Sequence, residues 1–231
     1  MIDFWLFILY TLISWDTNLT LWINGMYIDY WDNFMELYSG KFIWIPFYVS
    51  VAYVIFKHYC WKAALLCIAV AVVLLVINDQ ISSSVIRHLV RRMRPSNLDN
   101  PISHMVHVVD GYRGGRFGFP SAHATNIWGF TFYIIYIFRR HLLSVTMVLW
   151  SILVCYSRLY LGVHYLGDLT AGMLLGLFDA TVVYFLFKHF MPNVVATFKP
   201  NQAGAPGLYL PVFVCWASTA IMLVLAFFID P

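Results

Sequence analysis

The sequence predicts an all-α, polytopic membrane protein: a six-transmembrane-helix bundle carrying interfacial helices at its N-terminus. Three observations carry that expectation. Of 231 residues, 61% are hydrophobic and only 11% charged, and mean hydropathy is +0.75. Soluble domains are about one half apolar and one quarter charged, so this balance excludes an ordinary soluble domain. Apolar windows of roughly twenty residues, long enough to cross a bilayer, recur from residue 42 onward. Basic residues gather in alternate connections between those windows, which is the signature of a threaded topology.

The length suits one domain spanning 1–231, with interfacial helices over 1–40 and the bundle over 42–229. Phe4 to Ile13 is apolar but too short to span, so it reads as a helix lying in the interface. Asp16-Thr17-Asn18 has the composition of a fresh helix start. From there to Ser39, Trp, Tyr and Leu mix with Asp29, Asp32 and Glu36, which suits headgroup depth and a packing collar around the bundle. The spans are expected near 42–60, 63–82, 121–138, 142–160, 168–188 and 208–229. Gly172 and Gly176 let the fifth helix pack closely, and Asp168 and Asp179 fall on that same face. Cys60, Cys67, Cys155 and Cys215 all lie in apolar segments, which argues for filler positions over disulfides or a thiolate metal site. No basic leader or cleavage site follows Met1.

Connections after the first, third and fifth spans carry Lys57, Lys62, Arg139, Arg140, Lys188 and Lys199 without any acid. The positive-inside rule puts them in the cytoplasm. Both termini and the long connection between spans two and three then face outwards, to the periplasm in a bacterium.

Three polar clusters fall at that one outer face. In the first, Gln80, Ser84, Arg87, Arg91 and Arg94 step by four and three residues, a stripe on a helix that runs past the bilayer edge until Pro95. Such closely spaced arginines repel unless an anion lies between them, and guanidinium forks match phosphate oxygens. A basic stripe gripping headgroups without chemistry is the bland alternative. The second is Pro120-Ser121-Ala122-His123 at a helix start, where free N–H groups and a hydroxyl form an anion site beside an imidazole. The third is Ser157-Arg158, then His164 and Asp168 four residues apart. One helical turn brings that carboxylate onto the imidazole and orients it as a nucleophile or base requires. An Arg158–Asp168 tie between helices is the competing reading. The loop between clusters carries His104, His107, Asp110, Arg113 and Arg116; its spacing fits a substrate rim better than a metal site. Together these parts are what phosphoryl transfer without a metal needs: fixed positive charge, a nucleophile, and an acid for the leaving oxygen.

Arg87-x6-Arg94-Pro95, Pro120-Ser121-Ala122-His123 and Ser157-Arg158-x5-His164-x3-Asp168 resemble the three-part signature of the type-2 phosphatidic acid phosphatase superfamily, which includes bacterial lipid phosphatases, class A acid phosphatases and vanadium haloperoxidases. The resemblance covers roughly 80 to 170. It implies that His164 is the nucleophile of a phosphohistidine intermediate, oriented by Asp168, and that His123 is the acid and later the base. It makes Arg87, Arg94, Ser121, Ala122 and Arg158 the phosphate cradle, and implies no metal or cofactor. Arg87 stands where the family usually has lysine, and Ala122 where it usually has glycine. Arg91, Arg113 and Arg116 form a substrate rim, and these extra arginines, with Arg92, favour a polyanionic headgroup.

The expected activity is hydrolysis of a lipid phosphomonoester or diphosphate at the outer face of a bacterial inner membrane. The candidate substrates are undecaprenyl diphosphate, lipid A, phosphatidylglycerol phosphate and phosphatidic acid. A lipid phosphotransferase sharing the intermediate, and a non-catalytic lipid-binding scaffold, are the alternatives. Nothing points to nucleic acid or to an obligate protein partner.

Overall fold

The computed structural model describes residues 2–196 and 209–229; Lys199 and the first residue of the sixth expected span lie outside them. Apart from one isolated bridge between Met93 and Phe117, the described residues are helix and connecting loop. In chain order the helices are α1 (Ile2–Asn24), α2 (Asp29–Ser39), α3 (Ile45–His58), α4 (Trp61–Asp79) and α5 (Arg87–Val90). They continue with α6 (Ala122–Phe138), α7 (His141–Tyr160), α8 (Leu166–Phe190), the short α9 (Pro192–Ala196) and α10 (Tyr209–Leu225).

Each expected span has a helix at its place, but the spans are not equally long. Four stretches are long and apolar enough to cross a membrane: Phe4–Asn24, Trp61–Val90, His141–Tyr160 and Leu166–Phe190. A fifth is gained if α2 and the Phe42–His58 segment, bent by 67°, count as one. At 17 residues each, α6 and α10 are about 26 Å long.

The N-terminal expectation needs correcting. Asp16 starts no helix; α1 runs unbroken through it for 23 residues. Its carboxylate is spent elsewhere, accepting from Arg92 Nη2 at 2.7 Å and from the Gly167 N–H at 2.9 Å, so it does not compete for its own backbone.

The inner seam is α6 against α8. A Cβ on Gly172 would meet the Ser121 carbonyl at 2.6 Å, and one on Gly176 the Thr125 carbonyl at 2.5 Å, so only glycine permits this approach. Both Asp168 and Asp179 are buried on that helix. Around the seam, Trp150 packs edge-on to Trp44 with ring centroids 5.5 Å apart, and Phe47 lies at 5.1 Å, which joins α7 to the start of α3. The four cysteines are free; Cys67 and Cys215 are buried in the core.

Candidate active site

Helix α4 does not continue straight into the first cluster. A wider π turn, Gln80–Ile86, follows it, and α5 ends at Val90 because Arg91 adopts the left-handed conformation at φ 52°. The uniform stripe expected up to Pro95 is therefore interrupted. The π turn shifts the register, so that Asp79, Ser83 and Arg87 face the cavity in place of Gln80 and Ser84. Beyond Arg91 the chain turns back on itself: Arg94 N–H donates to the Arg116 carbonyl at 3.1 Å and Gly118 N–H to the Arg92 carbonyl at 2.9 Å. That pairing delivers Arg94 to the centre of the site.

The centre is His164, fully buried in the five-residue connection between α7 and α8. Arg94 Nη1 lies 2.9 Å from His164 Nε2, and Nδ1 faces Asp168 Oδ2 at 3.4 Å. Arginine only donates and a carboxylate only accepts. The ring is therefore protonated on Nδ1, and Nε2 carries the lone pair that points at the guanidinium. Burial, reinforced by Arg94, Arg158 and Arg87, holds the imidazole well below its ordinary pKa, so it is neutral at pH 7. The same burial and its cationic neighbours push Arg94 down to about 10, which still leaves it charged.

A cavity of about 430 Å³ reaches His164, and Arg87, Arg94, Arg158, Ala122 and His123 line it as well. Arg158 is buried at the end of α7, with Nη1 donating to Ser39 Oγ at 2.5 Å and its guanidinium 5.8 Å from the Tyr112 ring. Arg87 Nη2 reaches the Pro120 carbonyl at 3.3 Å. The Nε donors of both Arg87 and Arg158 are buried without a hydrogen-bond partner among the described residues. Buried donors of this kind are costly unless an acceptor meets them, and phosphate oxygens suit them.

Of the two expected groups at the start of α6, Ser121 does not line the cavity and Ala122 does. Ser121 is completely buried beneath the cavity, where its Oγ caps α6 by accepting from Ala124 N–H at 3.3 Å. Ala122 takes ordinary helical geometry, so its methyl group is tolerated where glycine is usual.

The expected rim is corrected. Arg91, Arg113 and Arg116 do not line the cavity. Arg91 Nε donates to the His88 carbonyl at 3.0 Å, Arg113 to the Ser96 carbonyl at 2.7 Å, and Arg116 pairs with Asp99 at 3.4 Å on the surface. His107 is likewise engaged, 2.6 Å from Asp32. The actual rim comes largely from the end of α2 and the turn after it, where Glu36, Ser39, Gly40 and Lys41 line the cavity. The expected packing collar thus contributes to the site itself. The four-residue spacing of Asp79, Ser83 and Arg87 was a readable signal; Lys41 had none.

A second, apolar groove of about 590 Å³ runs from the same rim between α3, α4 and α6. Both cavities share Lys41, Asp79, Ala122 and His123, so polar site and apolar groove are continuous.

Residues 61–192 match the PAP2 superfamily. The chain belongs to the PAP2 superfamily. It is 47% identical over 172 residues to a lipid A 4'-phosphatase of Bacteroides thetaiotaomicron, covering 74% of this chain and 76% of the relative. Another lipid A 4'-phosphatase, from Porphyromonas gingivalis, is 34% identical over 176 residues, covering 75% and 73%. The fold is similar to that of the crystal structure of a transmembrane PAP2-type phosphatidylglycerolphosphate phosphatase from Bacillus subtilis. There the TM-score is 0.58 and identity 21%, over 81% of this chain and 96% of that one.

Proposed function

We propose that this PAP2 protein is a membrane lipid phosphatase that removes a phosphate from the phosphorylated glucosamine disaccharide of lipid A at the periplasmic face of a bacterial inner membrane. The observation that carries the chemistry is His164 Nε2, a neutral lone pair held 2.9 Å from Arg94 at the floor of an arginine-lined cavity. Two lipid A 4'-phosphatases among the relatives support the substrate. So does the rim: Glu36 and Asp79 stand among the cations, and a carboxylate suits sugar hydroxyl donors better than a second phosphate.

In this reading a phosphomonoester enters with its oxygens on Arg87, Arg94 and Arg158. His164 Nε2 attacks phosphorus as the bond to the sugar oxygen breaks, and His123 gives that oxygen a proton. Water then attacks the phosphohistidine, His123 takes its proton, and the P–N bond breaks to release phosphate. The cradle stabilises charge at both steps. Acyl chains lie in the apolar groove, which keeps the headgroup at the membrane boundary.

The topology belongs to the same proposal. The six helices α3, α4, α6, α7, α8 and α10 are the spans, with the site and both termini outside. Helix α1 lies in the interface. Asp16 bonds the start of α8, and Asn24, eight residues on and about 12 Å away, bonds the end of α7 through the Tyr160 carbonyl at 2.7 Å. Both contacts are at the site end of the bundle, as for a helix lying across that face.

The test is phosphate release by the purified protein and by His164→Ala, across lipid A, undecaprenyl diphosphate, phosphatidylglycerol phosphate and phosphatidic acid in detergent. Release from lipid A by wild type alone is expected. Preference for another of these lipids would overturn the substrate. Release by neither protein, with a phosphoryl acceptor also supplied, would favour a lipid-binding scaffold.

A further inference from the structure

We infer that Asp16, on the N-terminal helix α1 and outside the family-matched segment, is a positioning residue for the reaction: it holds Arg92 so that Arg92 takes one oxygen of Asp168 and leaves the other to His164. This rests on the reading of His164 as nucleophile.

The contacts form one chain of charge. Arg92 Nη2 donates to Asp16 Oδ2 at 2.7 Å, and Arg92 Nη1 donates to Asp168 Oδ1 at 3.1 Å. Asp168 Oδ2 accepts from the Tyr165 N–H at 3.1 Å and faces His164 Nδ1 at 3.4 Å. The Arg92 guanidinium also sits over the Tyr165 ring, 3.8 Å from its centroid, a further contact that holds the fork in place. Arg92 and Asp16 are mostly covered, with side chains 23% and 15% exposed, while Asp168 is fully enclosed.

Guanidinium and carboxylate prefer to meet by two parallel bonds. With no second carboxylate, the Arg92 fork is free to turn both nitrogens onto Asp168 and compete with the imidazole for Oδ2. Asp16 prevents this by taking Nη2. It also accepts from the Gly167 N–H at 2.9 Å, one of the open donors in the first turn of α8, so it fixes the backbone that carries Asp168. Residue 167 must be small for this approach: a Cβ there would come 2.7 Å from Asp16 Oδ2. The three side chains come from α1, the loop after α5, and α8. The N-terminal helix is thereby joined to the reaction centre.

The test uses the full chain in detergent, with the lipid that wild type hydrolyses, and compares Asp16→Asn, Arg92→Leu and the double variant. For Asp16→Asn we expect kcat to fall about tenfold or more, with KM and the inhibition constant of inorganic phosphate within about twofold, because the arginine cradle is untouched. In the Arg92→Leu background the same change has no further effect on kcat, since Asp16 acts through Arg92. Asp16→Asn with kcat within twofold of wild type, or losing kcat equally with and without Arg92, overturns the inference. Arg92→Lys keeps the charge without the fork and serves where Asp16→Asn does not fold. It is expected to lose kcat at constant KM, and wild-type kcat would overturn the inference. A wild type that releases no phosphate would overturn the phosphatase reading and this inference with it; an active wild type confines any failure to the role of Asp16.

Discussion

Arg94 makes two contacts at the site from one nitrogen. Its Nη1 donates both to the Val163 carbonyl, at 2.9 Å, and to His164 Nε2, so it ties the backbone of the connection to the imidazole that lines the cavity. Arg94→Ala should lower kcat about a hundredfold or more. It should also move the acidic limb of the pH–rate profile upward. In the proposed mechanism His164 reacts when neutral; burial, reinforced by the neighbouring cations, holds its pKa down, so activity is expected to persist below the usual histidine midpoint of about 6.5. Removing one cation raises the imidazole's pKa towards that midpoint, although burial still holds it lower, and so costs activity on the acidic side of the profile. Profiles of kcat/KM for wild type and Arg94→Ala check this; coincident acidic limbs would refute it. Gly118 is a second sensitive residue. A Cβ there would lie 2.8 Å from Asp168 Oδ2 and 3.4 Å from His164 Nδ1. Gly118→Ala should therefore displace the carboxylate and cost roughly tenfold to a hundredfold in kcat, measured by steady-state phosphate release in a protein of unchanged melting temperature.

Among elements, the α6–α8 seam sets the distance between the two histidines, because His123 opens α6 and His164 precedes α8. The seam is closed by backbone on backbone at Gly172 and Gly176, and Ser121 N–H donates to the Asp168 carbonyl at 3.0 Å where the two helix starts meet. A methyl group at 176 has no room beside the Thr125 carbonyl, and overpacking of this kind costs about 1–3 kcal/mol. Gly176→Ala should lower the melting temperature in detergent and also reduce kcat, since α6 can relieve the contact only by moving away from α8. Unchanged melting and unchanged kcat together would mean that the seam is looser than its geometry. The connection after α5 shows the opposite economy. It is irregular, yet its backbone bonds back through residues 92–94 and 116–118, which is how a loop holds a buried arginine without a helix.

Across the whole molecule, the polar cavity and the apolar groove meet at a shared rim, so a charged and an apolar environment lie side by side, as the proposed lipid substrate requires. Val72 lines the groove away from the reacting groups and is exposed on the outside of α4. Val72→Trp should raise KM for a long-chain lipid phosphate while leaving hydrolysis of a water-soluble phenyl phosphate within about twofold, because only the lipid uses that surface. Equal effects on both substrates would show that acyl chains take another route. The contribution of α2 to the rim has the same logic: Ser39 bonds Arg158, so α2 completes a cavity whose arginines and histidines all come from the bundle and its connections.

The sequence by itself determined the helical membrane architecture, the places of the bundle helices, the close-packed face of α8 and the three clusters that meet in the site. Those features have local causes: apolar run length, residues three and four apart on one helix face, and glycines at one-turn spacing all act within a few residues of each other. Tertiary structure decided the rest. Whether α1 breaks at Asp16, where the helix through Arg87 ends, and which arginines face the cavity depended on partners far along the chain. Asp16 meets Arg92, and Arg92 meets Asp168, each across 76 residues. No local period encodes such pairs, because their partners are chosen by the packing of helices that must first find one another.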